Sequence, residues 1–174
     1  PLLMAGVGDR TAAYAKKLFS DLGLEPLQAG GGQGKADGAP AHFVDGGSLG
    51  VTLVRGDVSM LGLGTVTYVE GTKAVGFGHP MMDAGDTALP TALGRVLWIF
   101  ASGQHSSKVG ELVKPLGALV QDRQSSVVLD ESKVAPTFSV TIDVKGAANP
   151  PKTHWQSVVA EERFLSASLS ASVF

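Results

Sequence analysis

The sequence GVTLVRGDVSMLGLGTVTYVEGTKAVGFGHP occupies residues 50–80 and sets the fold class that we predict for this chain. It contains short runs of apolar and β-branched residues separated by glycines, a pattern typical of β-strands. The predicted strands cover residues 50–55, 58–63, 65–70 and 73–77. The Glu-Gly-Thr sequence at 70–72 predicts a hairpin turn between the last two.

Strand patterns continue on the C-terminal side of this stretch, and helical patterns lie at both ends. Residues 135–145 alternate apolar and polar side chains, as in a half-exposed strand. Apolar residues at helical spacing predict a helix that begins near Asp9 and stops at Gly23, and another over 161–174. Further strands are predicted at 24–27, 116–121, 125–129 and 153–159, a loop at 80–90, and a buried strand or short helix at 96–100.

These elements favour a mainly β fold with flanking helices (α+β), arranged as a compact β-barrel or sandwich. Four segments are expected: an N-terminal helix and short strand (1–28), a Gly-rich linker (29–47), a β-rich domain (48–160) and a C-terminal helix (161–174). The apolar face of that helix continues to Phe174, and the chain starts at Pro1. We therefore expect the helix to be truncated and the chain to be a portion of a longer protein.

Composition excludes several classes of function. The 174 residues carry a net charge of −2 with no basic run and only 6% aromatic residues, which argues against nucleic acid as a partner. The chain has no Cys, so disulfides, zinc ribbons, iron–sulfur sites and thiol nucleophiles are excluded. No apolar run reaches the ~18 residues of a membrane span, so no transmembrane segment is predicted. Trp98 and Trp155 are expected in the core.

Neither a cofactor nor a metal site is predicted. The Gly-rich stretch GGGQGK at 30–35 lacks the spacing of a phosphate-binding loop, and Ala36 stands where such a loop has Ser or Thr. The four His residues show no metal-ligand spacing.

Three short blocks carry a family resemblance. They are GLGTVTY at 62–68, GFGH at 76–79 and QDRQS at 121–125. Together they resemble the SpoIVB-type serine peptidase family, in particular its envelope-associated branch in Gram-negative bacteria. The resemblance implies a trypsin-like peptidase fold, polypeptide substrates or other envelope proteins as partners, and a periplasmic, outer-membrane-associated or secreted location.

The same resemblance implies a role for His79. In the family, the His of the Gly-His block is the catalytic base of a serine peptidase. The nucleophile of the family lies in a G-x-S-G-S-P motif, which this chain lacks. The resemblance thus implies that the serine precedes Pro1, in the remainder of the precursor, and that this chain alone is inactive.

The residues themselves also make His79 a candidate base. An imidazole held at a strand end between Gly78 and Pro80 can accept a hydroxyl proton near neutral pH when an acid orients its other nitrogen. Ser125 is the candidate nucleophile within the chain, and the candidate acids are Asp57, Asp83 and Asp86.

Two hypotheses remain open at this point. In the first, the chain is the His-bearing part of a serine endopeptidase. In the second, it is a non-catalytic structural or interaction module of a larger envelope assembly.

Overall fold

The computed structural model describes residues 1–28, 34–103, 106–146, 148–150 and 152–173. Residues 29–33 of the predicted linker and the final residue of the predicted C-terminal helix lie outside these ranges. The described helices are α1 (Asp9–Phe19), which continues into a 3₁₀ turn (Ser20–Leu22), and α2 (Ser166–Ala171). The described strands are β1 (Leu2–Ala5), β2 (Pro26–Gln28), β3 (Ser48–Gly56), β4 (Ser59–Glu70), β5 (Lys73–Gly76), β6 (Gly85–Phe100), β7 (Ser107–Arg123), β8 (Ser126–Asp130), β9 (Thr137–Asp143) and β10 (His154–Ala160).

The predicted mainly β class with few helices is confirmed, since these strands form one ten-stranded sheet. The sheet order is β2-β1-β4-β5-β8-β7-β6-β3-β10-β9, and β3 also pairs with β4. The pairings of β4, β5, β8, β7, β6 and β3 therefore form a closed cycle. β1 and β2 attach to this cycle at β4, and β10 and β9 attach at β3.

The core lies where the apolar face of the central strands meets the helices. Val51 and Leu53 of β3 are fully buried, and Gly50 and Thr52 between and beside them are buried as well, so this part of β3 is covered on both faces. Phe19 of α1 and Leu169 of α2 are fully buried in the same cluster. Both helices are thus fixed to the sheet by apolar packing, which is the main source of helix stability in a protein. Among the described residues, neither helix has the length and apolar character that crossing a membrane requires.

The described part of the predicted linker lies against the sheet. The Gly34 N–H donates to the Leu112 carbonyl at 2.7 Å. Further along, the Glu131 carboxylate accepts the Phe43 N–H at 2.7 Å and bonds the His42 ring at 2.7 Å.

Two sequence predictions for the stretch between residues 63 and 90 are wrong. The predicted break between residues 63 and 65 is absent, because Gly64 continues β4 and pairs with Leu49. The predicted loop at 80–90 ends early, because β6 begins at Gly85. Gly, Asp and Pro in this stretch suggested a loop, yet the ladder between β6 and β7 accommodates Pro90 at a register shift.

The end of β6 is exposed, so the predictions of a buried segment at 96–100 and of Trp98 as a core residue are wrong. The side chains of Val96, Leu97, Trp98, Ile99 and Phe100 are all exposed, and Trp98 is 70% exposed. β3 pairs with β6 only as far as Leu93, whereas β7 continues beside β6 to Phe100. We call residues 96–100 and 107–110 the β6–β7 ribbon. Trp155, also expected in the core, is half-buried.

Candidate functional site

The loop that carries His79 starts with a strained turn. The Gly78 N–H donates to the Gly76 carbonyl at 2.9 Å, and Phe77 between them has a φ of 69°. This is the pattern of the rare γ-turn with a positive central φ. A non-glycine residue with this φ costs on the order of 1–2 kcal/mol, whereas Gly78, with a φ of 72°, adopts it without a Cβ clash.

Strain recurs at the other end of the loop. Asp83 has a φ of 56°, so two of the three non-glycine residues with positive φ in the described chain lie within 77–83. Such conformations persist only where the surroundings enforce them, and they concentrate at functional sites. The backbone around His79 is therefore held in place by other parts of the molecule.

Asp122 provides much of that restraint. Its carboxylate is completely buried and accepts three backbone N–H groups of the loop. The donors are Met81 at 2.7 Å, Met82 at 2.7 Å and Ala84 at 3.3 Å. Hydrogen bonds to an ionised acceptor are about twice as strong as those between neutral groups. Asp122 near the end of β7 thus anchors the loop that connects β5 to β6.

The glycines of β4 make room for the same loop. A Cβ at Gly64 would collide with the Phe77 ring. A Cβ at Gly62 would lie 3.3 Å from the terminal methyl of Met81. All three sequence blocks that carry the family resemblance therefore meet around His79, the first through its glycines and the third through Asp122.

The His79 ring is exposed and oriented by the chain itself. Its Nδ1 lies 2.7 Å from the Pro80 carbonyl oxygen. Because a carbonyl oxygen can only accept, Nδ1 carries the proton in this contact and Nε2 of the neutral ring has a free lone pair. The Phe77 ring packs beside the imidazole at a centroid distance of 5.5 Å. A hydroxyl that reached Nε2 could lose its proton to it, which is the chemistry of a general base.

Ser125 lies at the same end of the sheet as His79 but is not bonded to it. It is exposed in the turn between β7 and β8. β5 and β8 are antiparallel, with Gly76 opposite Val127, so that this turn lies beside the exit of β5. Within the described chain no hydrogen bond joins Ser125 to His79.

Asp57 lies in the turn between β3 and β4, far along the sheet from the end of β5. Its carboxylate forms an ion pair with Lys152 and accepts the Gln156 N–H at 2.8 Å. The hydrogen bond from Lys152, followed by that from Gln156, holds the pKa of Asp57 below its ordinary value. β5 ends beside Val66, roughly 20 Å along β4 from this turn. No hydrogen bond among the described residues connects Asp57 with His79.

The other two candidate acids lie closer to the loop. Asp86 at the start of β6 accepts a hydrogen bond from Arg123 at 2.8 Å. Asp83 is exposed within the loop itself. In the structure the Pro80 carbonyl, and none of these carboxylates, contacts Nδ1 of His79.

Sequence reasoning missed Asp122 as a functional residue. The sequence patterns predict a turn at 122–124 between two strands, whereas β7 continues through Asp122 to Arg123. The available signal was an acid only three residues beyond the apolar Leu119, in a segment that could extend as a strand. An ionisable side chain that points into a core needs several hydrogen-bond partners, and the loop supplies them.

No three His, Asp or Glu side chains in the described ranges are grouped so that they could hold a metal ion. Comparison of the chain with protein-family models, with curated proteins and with solved structures found no match in any of the three.

Proposed function

We propose that this chain is the His-bearing portion of a SpoIVB-like serine endopeptidase of the bacterial envelope, with His79 as the general base. The proposed nucleophile is a serine outside this chain, and the proposed substrates are polypeptides. One observation carries the proposal: Nδ1 of His79 donates to a backbone carbonyl at 2.7 Å, which leaves Nε2 of an exposed ring available to a hydroxyl.

The restraint of the loop supports this role. A strained turn at Phe77 and three hydrogen bonds to the buried Asp122 fix the backbone on both sides of His79. A purely structural histidine on a surface loop needs neither feature. A catalytic base does, because general-base catalysis depends on the position of the ring to within a fraction of an ångström.

The strand pairings support a β-barrel architecture of the trypsin-like kind. A closed cycle of six paired strands is the pattern expected of a compact β-barrel, and trypsin-like peptidases are built from such barrels. We include in the proposal that this cycle is a peptidase-related barrel with His79 at one of its ends.

A fluorophosphonate probe tests the proposal on the full-length protein. Labelling of its serine should be lost in His79→Gln and retained in His154→Gln. The second variant is the matched control, because His154 is also exposed but its Nδ1 bonds the Asp143 carboxylate. Labelling should also persist in Ser125→Ala, because the nucleophile is proposed outside this chain. An unlabelled wild-type protein, or equal labelling of His79→Gln and wild type, would contradict the proposal.

The β6–β7 ribbon favours a second function, that of an interaction module within an envelope assembly. Five consecutive exposed apolar residues place hydrophobic side chains on both faces of the ribbon. A photo-crosslinking residue at Trp98 should capture an envelope protein or the remainder of the precursor in cells. The same probe at Tyr68, which is 55% exposed on β4, should not. Identical crosslinking from both positions would refute a specific interaction through the ribbon.

A further inference from the structure

A cleft away from the His79 loop lies over one face of β3. It has a volume of about 350 Å³. Its walls are completed by strands β4, β6, β7 and β10, and by the segment from the end of β8 to the start of β9. Binding sites for small molecules have volumes of roughly 300–1,000 Å³. The cleft shares no lining residue with the loop at 77–84 or with Asp122.

The walls of the cleft are largely apolar. Val54, Leu61, Leu112 and Leu116 lie along them, and Val134 stands at the rim with 93% of its surface exposed. A valine this exposed beside an apolar cleft would lose contact with water if a ligand extended to the rim. Covering such surface stabilises a complex by about 25 cal/mol per Å².

The backbone of these walls favours an alkyl chain over a peptide. Each cleft-lining residue of β3 already pairs with at least one neighbouring strand: Thr52 with β4, Val54 with β4 and β10, and Arg55 and Gly56 with β10. Many of the N–H and C=O groups along this part of β3 are therefore already engaged in the sheet. A bound peptide would have to bury polar backbone groups against apolar side chains without partners, which is costly. An alkyl chain has no such groups.

The charges on the cleft have one sign. Arg55, Lys114 and Lys133 line it, and no Asp or Glu is among its described lining residues. Lys114 donates to the Ala41 carbonyl at 3.0 Å. Lys133 shares its turn with the buried carboxylate of Asp130, which offsets part of its charge.

Arg55 is the cation most available to a ligand. It is exposed, and no ion pair or hydrogen bond of its side chain is present in the described part of the chain. The nearby carboxylate of Asp57 is already taken by Lys152 and the Gln156 N–H. A guanidinium binds a carboxylate through two parallel hydrogen bonds, so it suits the head group of an acid.

We propose that this cleft binds an alkyl monocarboxylate of medium to long chain, with the chain along the apolar walls and the carboxylate on Arg55. The site is independent of the proposed peptidase function, so that either can fail without the other.

Calorimetric titration of the purified chain with octanoate, decanoate and 1-octanol tests the proposal below the micellar range. Decanoate should bind about tenfold more tightly than octanoate, because two more methylenes are buried. Arg55→Met should weaken decanoate binding about tenfold and leave 1-octanol binding unchanged. Arg10→Met, which removes an exposed arginine that does not line the cleft, is the matched control and should bind as wild type does. Val134→Glu adds a negative charge to the rim at a fully exposed position and should also weaken decanoate binding.

Four results would overturn the proposal. The first is no measurable heat with decanoate. The second is an equal loss of decanoate and 1-octanol affinity in Arg55→Met, which would exclude recognition of the carboxylate. The third is tighter binding of an apolar tetrapeptide such as acetyl-Leu-Val-Leu-Val than of decanoate. Amide chemical shifts should map decanoate to β3 and β7, and shifts confined to the β6–β7 ribbon would equally refute the assignment.

Discussion

Replacing Asp122 with asparagine should destabilise the protein far more than its small change in volume suggests. One carboxylate oxygen accepts the Met81 N–H at 2.7 Å, and the other accepts the N–H groups of Met82 at 2.7 Å and Ala84 at 3.3 Å. An asparagine side chain has only one oxygen, and its NH₂ group would then face a backbone N–H. At least one loop N–H therefore loses its acceptor.

The magnitude follows from these contacts. A hydrogen bond to a charged group contributes about 1.5–3 kcal/mol, and the bonds that remain lose their ionic character. We expect Asp122→Asn to lower the free energy of unfolding by about 2–3 kcal/mol and Asp122→Ala by about 3–5 kcal/mol. The half-buried N–H groups of Met81 and Met82 can recover part of this by hydration, which limits the larger figure.

Urea denaturation monitored by far-UV circular dichroism measures the decrease in the free energy of unfolding. Hydrogen exchange at the amides of Met81 and Met82 shows whether the loop is the part that is destabilised. The matched control is Asp86→Asn, which breaks an ion pair with Arg123 whose side chains are 78% and 54% exposed. Such an exposed pair is worth less than about 1 kcal/mol. Asp122 does not anchor the loop if the free energy of unfolding of Asp122→Asn lies within about 0.5 kcal/mol of the wild-type value. The same conclusion follows if the amides of Met81 and Met82 exchange at wild-type rates.

Three further predictions concern other parts of the fold. Gly117→Ala should lower the free energy of unfolding, measured by urea denaturation, by more than about 2 kcal/mol, because its Cβ would lie 2.5 Å from the Asp130 carbonyl oxygen. Gly71→Ala, with a positive φ but no neighbour within 4 Å, should lower it by only about 1 kcal/mol. Equal losses in the two variants would contradict the close approach at Gly117. The Ser132 hydroxyl, followed by the Ser132 N–H, holds the pKa of Asp130 below its ordinary value. The ionised carboxylate therefore stabilises the folded state above about pH 4. This stabilisation is lost as the pH falls through the lowered pKa of the folded state. Ser132→Ala should therefore be less stable than wild type at pH 7, and a difference that did not shrink below about pH 4 would refute this linkage. Trp98→Ser should leave stability within about 0.5 kcal/mol of wild type while removing most acrylamide-quenchable fluorescence; a large loss of stability would place Trp98 in the core.

Local patterns in the sequence were sufficient for most of the strands. Gly-bounded runs of β-branched residues correctly indicated β3 and β5, and the turn after Glu70 lies where its Gly71 indicated. These features depend on neighbours within a few residues, which a sequence displays directly.

The errors arose where long-range pairing decided the outcome. Residues 96–100 have the composition of a buried strand, but only β7 pairs with them, so their side chains remain in solvent. Pro90 suggested a loop, yet the partner strand tolerates it at a register shift. Neither result can be derived without knowing which strands are neighbours.

The candidate site was predicted in part. The position of His79 at a strand end followed from the motif and its flanking residues. The hydrogen bonds by which Asp122 anchors its loop join residues 38 to 41 positions apart. The spacing of Asp122 from Leu119 was a local signal for a buried acid, but its partners in the loop were visible only in the fold.

The protonation of the His79 ring tests the central claim most directly. Long-range ¹H–¹⁵N correlation spectra of the purified chain, recorded at a pH where the ring is neutral, distinguish the two tautomers. The account predicts that His79 is held as the Nδ1–H tautomer, because the Pro80 carbonyl accepts that proton, with Nε2 unprotonated and free to act as a base. A spectrum showing the proton on Nε2, or rapid averaging between the two nitrogens as in an unrestrained surface histidine, would contradict it.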